Sequence, residues 1–118
     1  MMLLEEDVRR IMNLGYKFND FAYIDEEGFI RLKNRNGHCV FLDVESCKCK
    51  IYEFRPIGCR LYPIVYVEDV GIVIDSECPA SNTITVEEVI EKAKTLLQVI
   101  DKLKKEAVMR RISSRNRF

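Results

Sequence analysis

The chain has 118 residues, 47% of them apolar and 32% charged, and nineteen basic side chains balance nineteen acidic ones. That length supplies a single hydrophobic core, the composition excludes wholesale disorder, and zero net charge argues against a general pull toward nucleic acid or anionic membrane. No apolar run approaches the roughly 20 residues that cross a bilayer, and MMLLEEDVRR lacks the pattern of a secretory signal, so the expected location is cytoplasmic.

In chain order, Glu5 to Leu14 predicts a short amphipathic helix. Leu4, Val8, Ile11 and Leu14 share a face, Glu5, Glu6 and Asp7 suit the positive N-terminus, and Gly15 stands where a left-handed cap would sit. The runs 21–24 and 29–32 flank Asp25-Glu26-Glu27-Gly28 and read as a hairpin. Asn34-Arg35-Asn36-Gly37 is a second turn signal leading into a strand over Cys39 to Leu42. The stretch from Cys47 to Pro63 is less regular. Beyond it, Ile64 to Val67 and Val70 to Ile74 predict two strands joined at Glu68-Asp69, Cys78-Pro79 closes the region, and Ser81-Asn82 begins a turn.

The final helix has the clearest start. Thr85 with Glu88 forms a capping box, and Ile84 with Val89 forms the matching hydrophobic staple. Val86, Ala93, Ile100 and Ala107 recur every seven residues, as do Val89, Leu96 and Leu103. Ile90 and Leu97 widen this stripe, which favours a helix packed on its own domain over an intermolecular coiled coil, with its outer surface open to a protein partner. The class expected is α+β: a small cysteine-rich, metal-centred domain over residues 1–83, an amphipathic helix over 84–112 and a basic tail over 113–118. The tail reads as a solvated terminus rather than a nucleic-acid contact.

Cysteines stand at 39, 47, 49, 59 and 78, an odd number that a closed disulfide set would not use up. In an intracellular chain, clustered cysteines bind metal or do redox work more often than they bridge. None forms C-x-x-C, and neither zinc-finger nor ferredoxin spacings fit. Pro56, Pro63 and Pro79 all lie beside the set, and proline supplies the rigid irregular backbone that holds thiolates near one another. Arg55 and Arg60 are placed to offset the negative charge of thiolates on zinc or an iron–sulfur cluster. Free cysteine is also a common core filler, and this applies above all to Cys47. His38, the only histidine, reads as an exposed turn residue that could also replace a thiolate. It excludes a hydrolytic zinc site built from several imidazoles. Asp43 and Glu45 default to surface carboxylates. No phosphate loop, nucleophile elbow or dinucleotide fingerprint is present.

The segments Cys39-Val40-Phe41-Leu42-Asp43, Cys49-Lys50-Ile51-Tyr52, Arg55-Pro56, Cys59-Arg60, Tyr62-Pro63 and Cys78-Pro79 together resemble the YkgJ-type CxxCxxCC family of zinc- or iron-chelating domains. The string C-x-I-Y-x-x-R-P-x-x-C-R-x-Y-P over residues 49–63 carries most of that specificity, and the resemblance extends over about residues 3–80. The amino-terminal cluster in the family's signature has no counterpart in this sequence. The resemblance therefore implies a metal site of Cys39, Cys49, Cys59 and Cys78, with Cys47 extra and zinc or an iron–sulfur cluster as cofactor. It also extends to iron–sulfur protein lysine N-methylases, although no methyl-donor motif is legible. A thiol redox protein using Cys47 and Cys49 is a further alternative.

Overall fold

A computed structural model, describing residues 1–67, 69–75 and 83–115, shows short antiparallel strands between an N-terminal helix and a long C-terminal one. Glu68, Cys78-Pro79, the turn at Ser81-Asn82 and the last three residues of the basic tail lie outside the described residues.

The chain opens with strand β1, Met2–Leu3, followed by helix α1, Glu5–Met12. α1 buries Val8 and Ile11 as its periodicity requires, but it stops before Leu14, which is left exposed. A helical turn α2, Phe18–Phe21, then feeds strand β2, Ala22–Ile24, and strand β3, Ile30–Leu32. These strands form a sheet of order β1-β3-β2, with Leu3 opposite Ile30 and Tyr23 opposite Arg31. β1, at two residues, is too short to leave a periodic signal in the sequence. Two small hairpins follow: β4, Asn34–Arg35, with β5, His38–Cys39, and β6, Leu42–Asp43, with β7, Lys48–Cys49. A single 3-10 turn, Tyr52–Phe54, leads to helix α3, Ile57–Leu61. The hairpin of β8, Ile64–Val67, and β9, Gly71–Ile74, matches the sequence reading closely.

The strand predicted over Cys39 to Leu42 is broken in two. The chain turns at Val40 and Phe41 so that the Phe41 ring reaches the interior, 5.1 Å from Tyr16 and 5.8 Å from Phe21 between centroids. Phe21, expected in a strand, instead ends the α2 turn and is fully buried. Burying two aromatic rings outweighs the β propensity of a four-residue segment.

Two apolar clusters result. One gathers Leu3, Val8, Ile11, Phe21, Ile30 and Phe41, and the other gathers Leu4, Leu61, Ile64, Leu96, Val99 and Leu103. Leu3 and Leu4 point to opposite sides because the backbone is extended there, so adjacent residues serve different cores.

Helix α4, Val86–Arg115, starts where the capping box placed it: the Glu88 amide donates to Thr85 Oγ1 at 3.2 Å. Its buried line is Leu96, Val99, Leu103 and Ala107. Ile90 and Leu97, expected to widen the core stripe, are 48% and 57% exposed. The elements packed on α4 cover one side of it, and these two residues lie round the cylinder from that side. No helix among the described residues is long and apolar enough to cross a membrane.

The β2–β3 turn docks on the far end of α4. Gly28 has φ +89, and a Cβ there would stand 2.9 Å from the Ala107 carbonyl oxygen. Arg110 Nη1 also donates to the Gly28 carbonyl at 2.8 Å. Gly28→Ala therefore combines a left-handed residue with a backbone clash, and urea titration is expected to show a loss of about 2–3 kcal/mol.

Within the same turn, Asp25 accepts from the Glu27 and Phe29 amides at 2.9 and 3.0 Å and from Arg31 Nε at 2.6 Å. Burial pushes its carboxyl up, but the Arg31 bond and the two amides outweigh burial and hold it below the ordinary 3.8. A depressed folded pKa contributes stability above the unfolded value and loses it as pH falls through the folded value. Asp25→Asn should thus flatten the stability profile between about pH 5 and 2 relative to the unaltered chain, measured by urea midpoints across that range.

Candidate metal centre

Cys39, Cys49 and Cys59 arrive on three different local elements. Asn36 and Gly37 have φ of +54 and +81, the double left-handed pair of a two-residue hairpin turn. That turn sets the β4–β5 register and puts Cys39 opposite Asn34. His38 precedes Cys39 in the strand, so it faces the other way and is exposed.

In the next hairpin, Leu42 pairs with Cys49. Asp43 Oδ1 accepts the Glu45 amide at 3.1 Å, which makes this carboxylate a turn former. Cys47 is exposed at φ +57, and its thiol donates to the Val44 carbonyl at 3.6 Å. Cys59 sits in α3, where its amide bonds to the Pro56 carbonyl at 3.0 Å. Proline is suited to the start of a helix because its φ is already set and it has no amide to leave unpaired.

Cys39, Cys49 and Cys59 line one open depression of about 1130 Å³, and Cys47 stands on its wall. Cys39 and Cys49 rest against the first core, half-buried, so their backbones have a rigid backing. Met1, Leu42, Tyr52 and Tyr62 make the lining mainly apolar, and its charged members, Lys48 and Arg55, are both cations. Arg55 is held twice: Nε donates to the Tyr52 carbonyl at 2.9 Å, and the guanidinium lies 4.0 Å from the Tyr52 ring centroid.

Arg60 differs from Arg55. Its guanidinium reaches back to the Glu53 carbonyl at 3.5 Å on the exposed side of α3, and it is not part of the lining.

The electrostatics of Cys59 reflect this crowding. Burial pushes its thiol up from 9.0, and the neighbouring Cys39 and Cys49 push it further, against the pull of the Met1 amino group and Arg55, to about 11. Thiolates gathered at such a place repel one another unless a cation joins them. Sulfur donors without carboxylate or imidazole suit zinc, iron or another thiophilic ion and do not suit calcium or magnesium. Among the described residues, no three His, Cys, Asp or Glu side chains are already drawn to metal-ligating spacing. The depression presents the donors on fixed backbones without closing them into a cage, and Cys78 lies outside the described residues.

A half-buried ion pair behind the site, between Asp7 and Arg10, escaped the sequence reading. Asp7, 1% exposed, accepts from the Leu4 amide at 3.0 Å, from Arg10 Nη2 at 2.7 Å and from the Ile57 amide at 3.2 Å. Arg10 Nη2 also donates to the Arg55 carbonyl at 3.0 Å. These bonds fasten the Arg55-Pro56-Ile57 segment to α1, and Cys59 follows two residues later. Asp7 reads in sequence only as an acid at a helix start. Its partner at position 57 has no local signature.

A family model with the signature CxxCxxCC, described as a "Putative zinc- or iron-chelating domain", matches residues 1–84. The chain belongs to the CxxCxxCC family. That description supports metal binding by this chain, although the C-x-x-C-x-x-C-C string itself does not occur in residues 1–118. The chain is also similar to the uncharacterized protein MJ0661 of Methanocaldococcus jannaschii, 54% identical over 37 residues. That match takes in 30% of this chain and spans about a fifth (20%) of the relative. No solved structure matches this member of the CxxCxxCC family.

Removing the Asp7 carboxylate leaves the Leu4 and Ile57 amides without their acceptor and takes from Arg10 one of the two acceptors of its Nη2. Asp7→Ala is expected to cost about 3–4 kcal/mol in urea titration, several times the effect of an exposed carboxylate such as Glu91.

Proposed function

We propose that Cys39, Cys49 and Cys59 hold a zinc ion or an iron–sulfur cluster, with Cys78 as the fourth thiolate. The observation that carries this reading is that three separate elements, their cysteines ten residues apart in sequence, bring their thiols to one depression whose charged lining is cationic. A bound metal would favour the thiolate forms and draw the three donors inward, coupling occupancy to stability in so small a domain. Arg55, stacked on Tyr52, is the cation placed to offset the charge of the loaded site. Arg60, turned toward Glu53, would act on it only at longer range. Zinc would make the centre structural or Lewis-acidic, while a cluster would make it an electron or modification centre.

The test is oxygen-free purification followed by zinc, iron and acid-labile sulfide determination per chain, for the unaltered protein and for Cys59→Ser and Cys47→Ser. Stoichiometric zinc, or iron with sulfide, is expected in the unaltered chain and in Cys47→Ser. Cys59→Ser should lose more than the roughly 10–100-fold in affinity that outer partners of a metal site contribute. A folded, unaltered chain that takes up neither metal, or full retention in Cys59→Ser, would overturn the proposal.

A further inference from the structure

A second depression, of about 490 Å³, lies among segment 16–20, the start of β4 and the residue after β7, and it shares no lining residue with the cysteine depression. Lys33, Arg35 and Lys50 all line it, and Asp20 is the one acid among the described residues that does. Like charges repel, so three cations stay around one hollow only where the backbone holds them there.

The backbone does hold them. Lys33, half-buried between β3 and β4, is bonded on both sides: its amide donates to the Phe21 carbonyl at 2.7 Å, and its carbonyl accepts from the Val40 amide at 3.0 Å. Its Nζ donates to the Asn19 carbonyl at 2.6 Å, which fixes the ammonium and leaves two of its donors uncommitted. Arg35 is set by its register opposite His38. The Lys50 amide donates to the Phe41 carbonyl at 2.8 Å.

Nearby acids do not neutralise this group. Among the described residues, no carboxylate forms an ion pair with Lys33, Arg35 or Lys50. Asp20 already accepts the Lys17 amide at 2.9 Å, closing the start of α2. Elsewhere the chain does pair its half-buried cations, Arg10 with Asp7 and Arg31 with Asp25.

Three unpaired cations against one committed carboxylate suit a doubly charged anion, and the fork of Arg35 matches the oxygens of a phosphate. The volume falls within the about 300–1,000 Å³ of small-molecule clefts, more than a bare inorganic anion fills. Tyr16, edge-on to Phe41 at 5.1 Å, supplies an aromatic wall, and Asn19 adds a polar group. We propose that this depression binds a small phosphate monoester, with the dianion on Lys33, Arg35 and Lys50 and the polar body toward Tyr16 and Asn19. No cysteine takes part, so the site stands apart from the metal reading.

The test is an amide-detected NMR titration of the unaltered chain, in reductant and low chloride, with ribose 5-phosphate. It is run at about pH 7.5, where a phosphate monoester is close to doubly charged. Ribose and inorganic sulfate serve as controls. Saturable shifts are expected at the Lys33, Arg35 and Lys50 amides, with none from ribose and weaker binding of sulfate. Arg35→Gln and Lys50→Gln should each weaken binding about tenfold while the remaining spectrum is retained. Lys94→Gln, at an exposed position on α4, should leave the affinity as it is. Absence of binding, full affinity in both the Arg35 and Lys50 variants, or shifts centred on Lys48 and Arg55 would overturn the proposal. Equal affinity for sulfate would mark an adventitious anion contact only and overturn it too. Tighter binding of a short single-stranded oligonucleotide than of ribose 5-phosphate would overturn the monoester assignment.

Discussion

A carboxylate with almost no exposure to water must find its partners inside the protein, and Asp7 finds all of them at the meeting point of α1, β1 and α3. An unpaired charge there would cost several kcal/mol, so the surrounding backbone has little freedom to choose another arrangement. The start of α1, the direction of Arg10 and the course of the chain through Arg55 and Pro56 are set together. The cysteine-bearing α3 grows out of that fixed point.

Because of this anchor, the cysteine depression stands on scaffold rather than on loose loops. Cys39 and Cys49 are backed by an aromatic core, while Cys59 is backed by an ionic one. Sites built on such supports hold their donors more accurately than sites on free loops. Tyr52 and Tyr62 stand at the depression's open, mainly apolar mouth.

Local rules were legible wherever a few residues decide the conformation. Asn36-Gly37 gave its hairpin, Asp25 to Gly28 gave another, and Thr85 with Glu88 gave the first turn of α4. Of the cysteines that line the depression, 39, 49 and 59 were marked by their motif surroundings, while Cys47 read as extra. Sequence reasoning failed where long-range packing overrides local preference. The break at Val40 and Phe41 depends on Tyr16 and Phe21, and β1 exists because β3 is there to pair with it. Arg55 and Arg60 look equivalent in the chain, but one stacks on Tyr52 over the site and the other turns to Glu53. The outward-facing Ile90 and Leu97 show a further limit: periodicity locates apolar faces without saying what covers each of them.

The placement of Leu3 and Leu4 in different cores makes the N-terminal strand a shared wall between the two halves of the molecule. Neither half can lose its packing without withdrawing a leucine from the other. The two clusters are thus bound into one cooperative unit, and loosening around the cysteines is transmitted through two adjacent peptide units to the inner face of the long helix. Hydrogen exchange at the buried turns of α4 would therefore report on the state of a depression it does not touch.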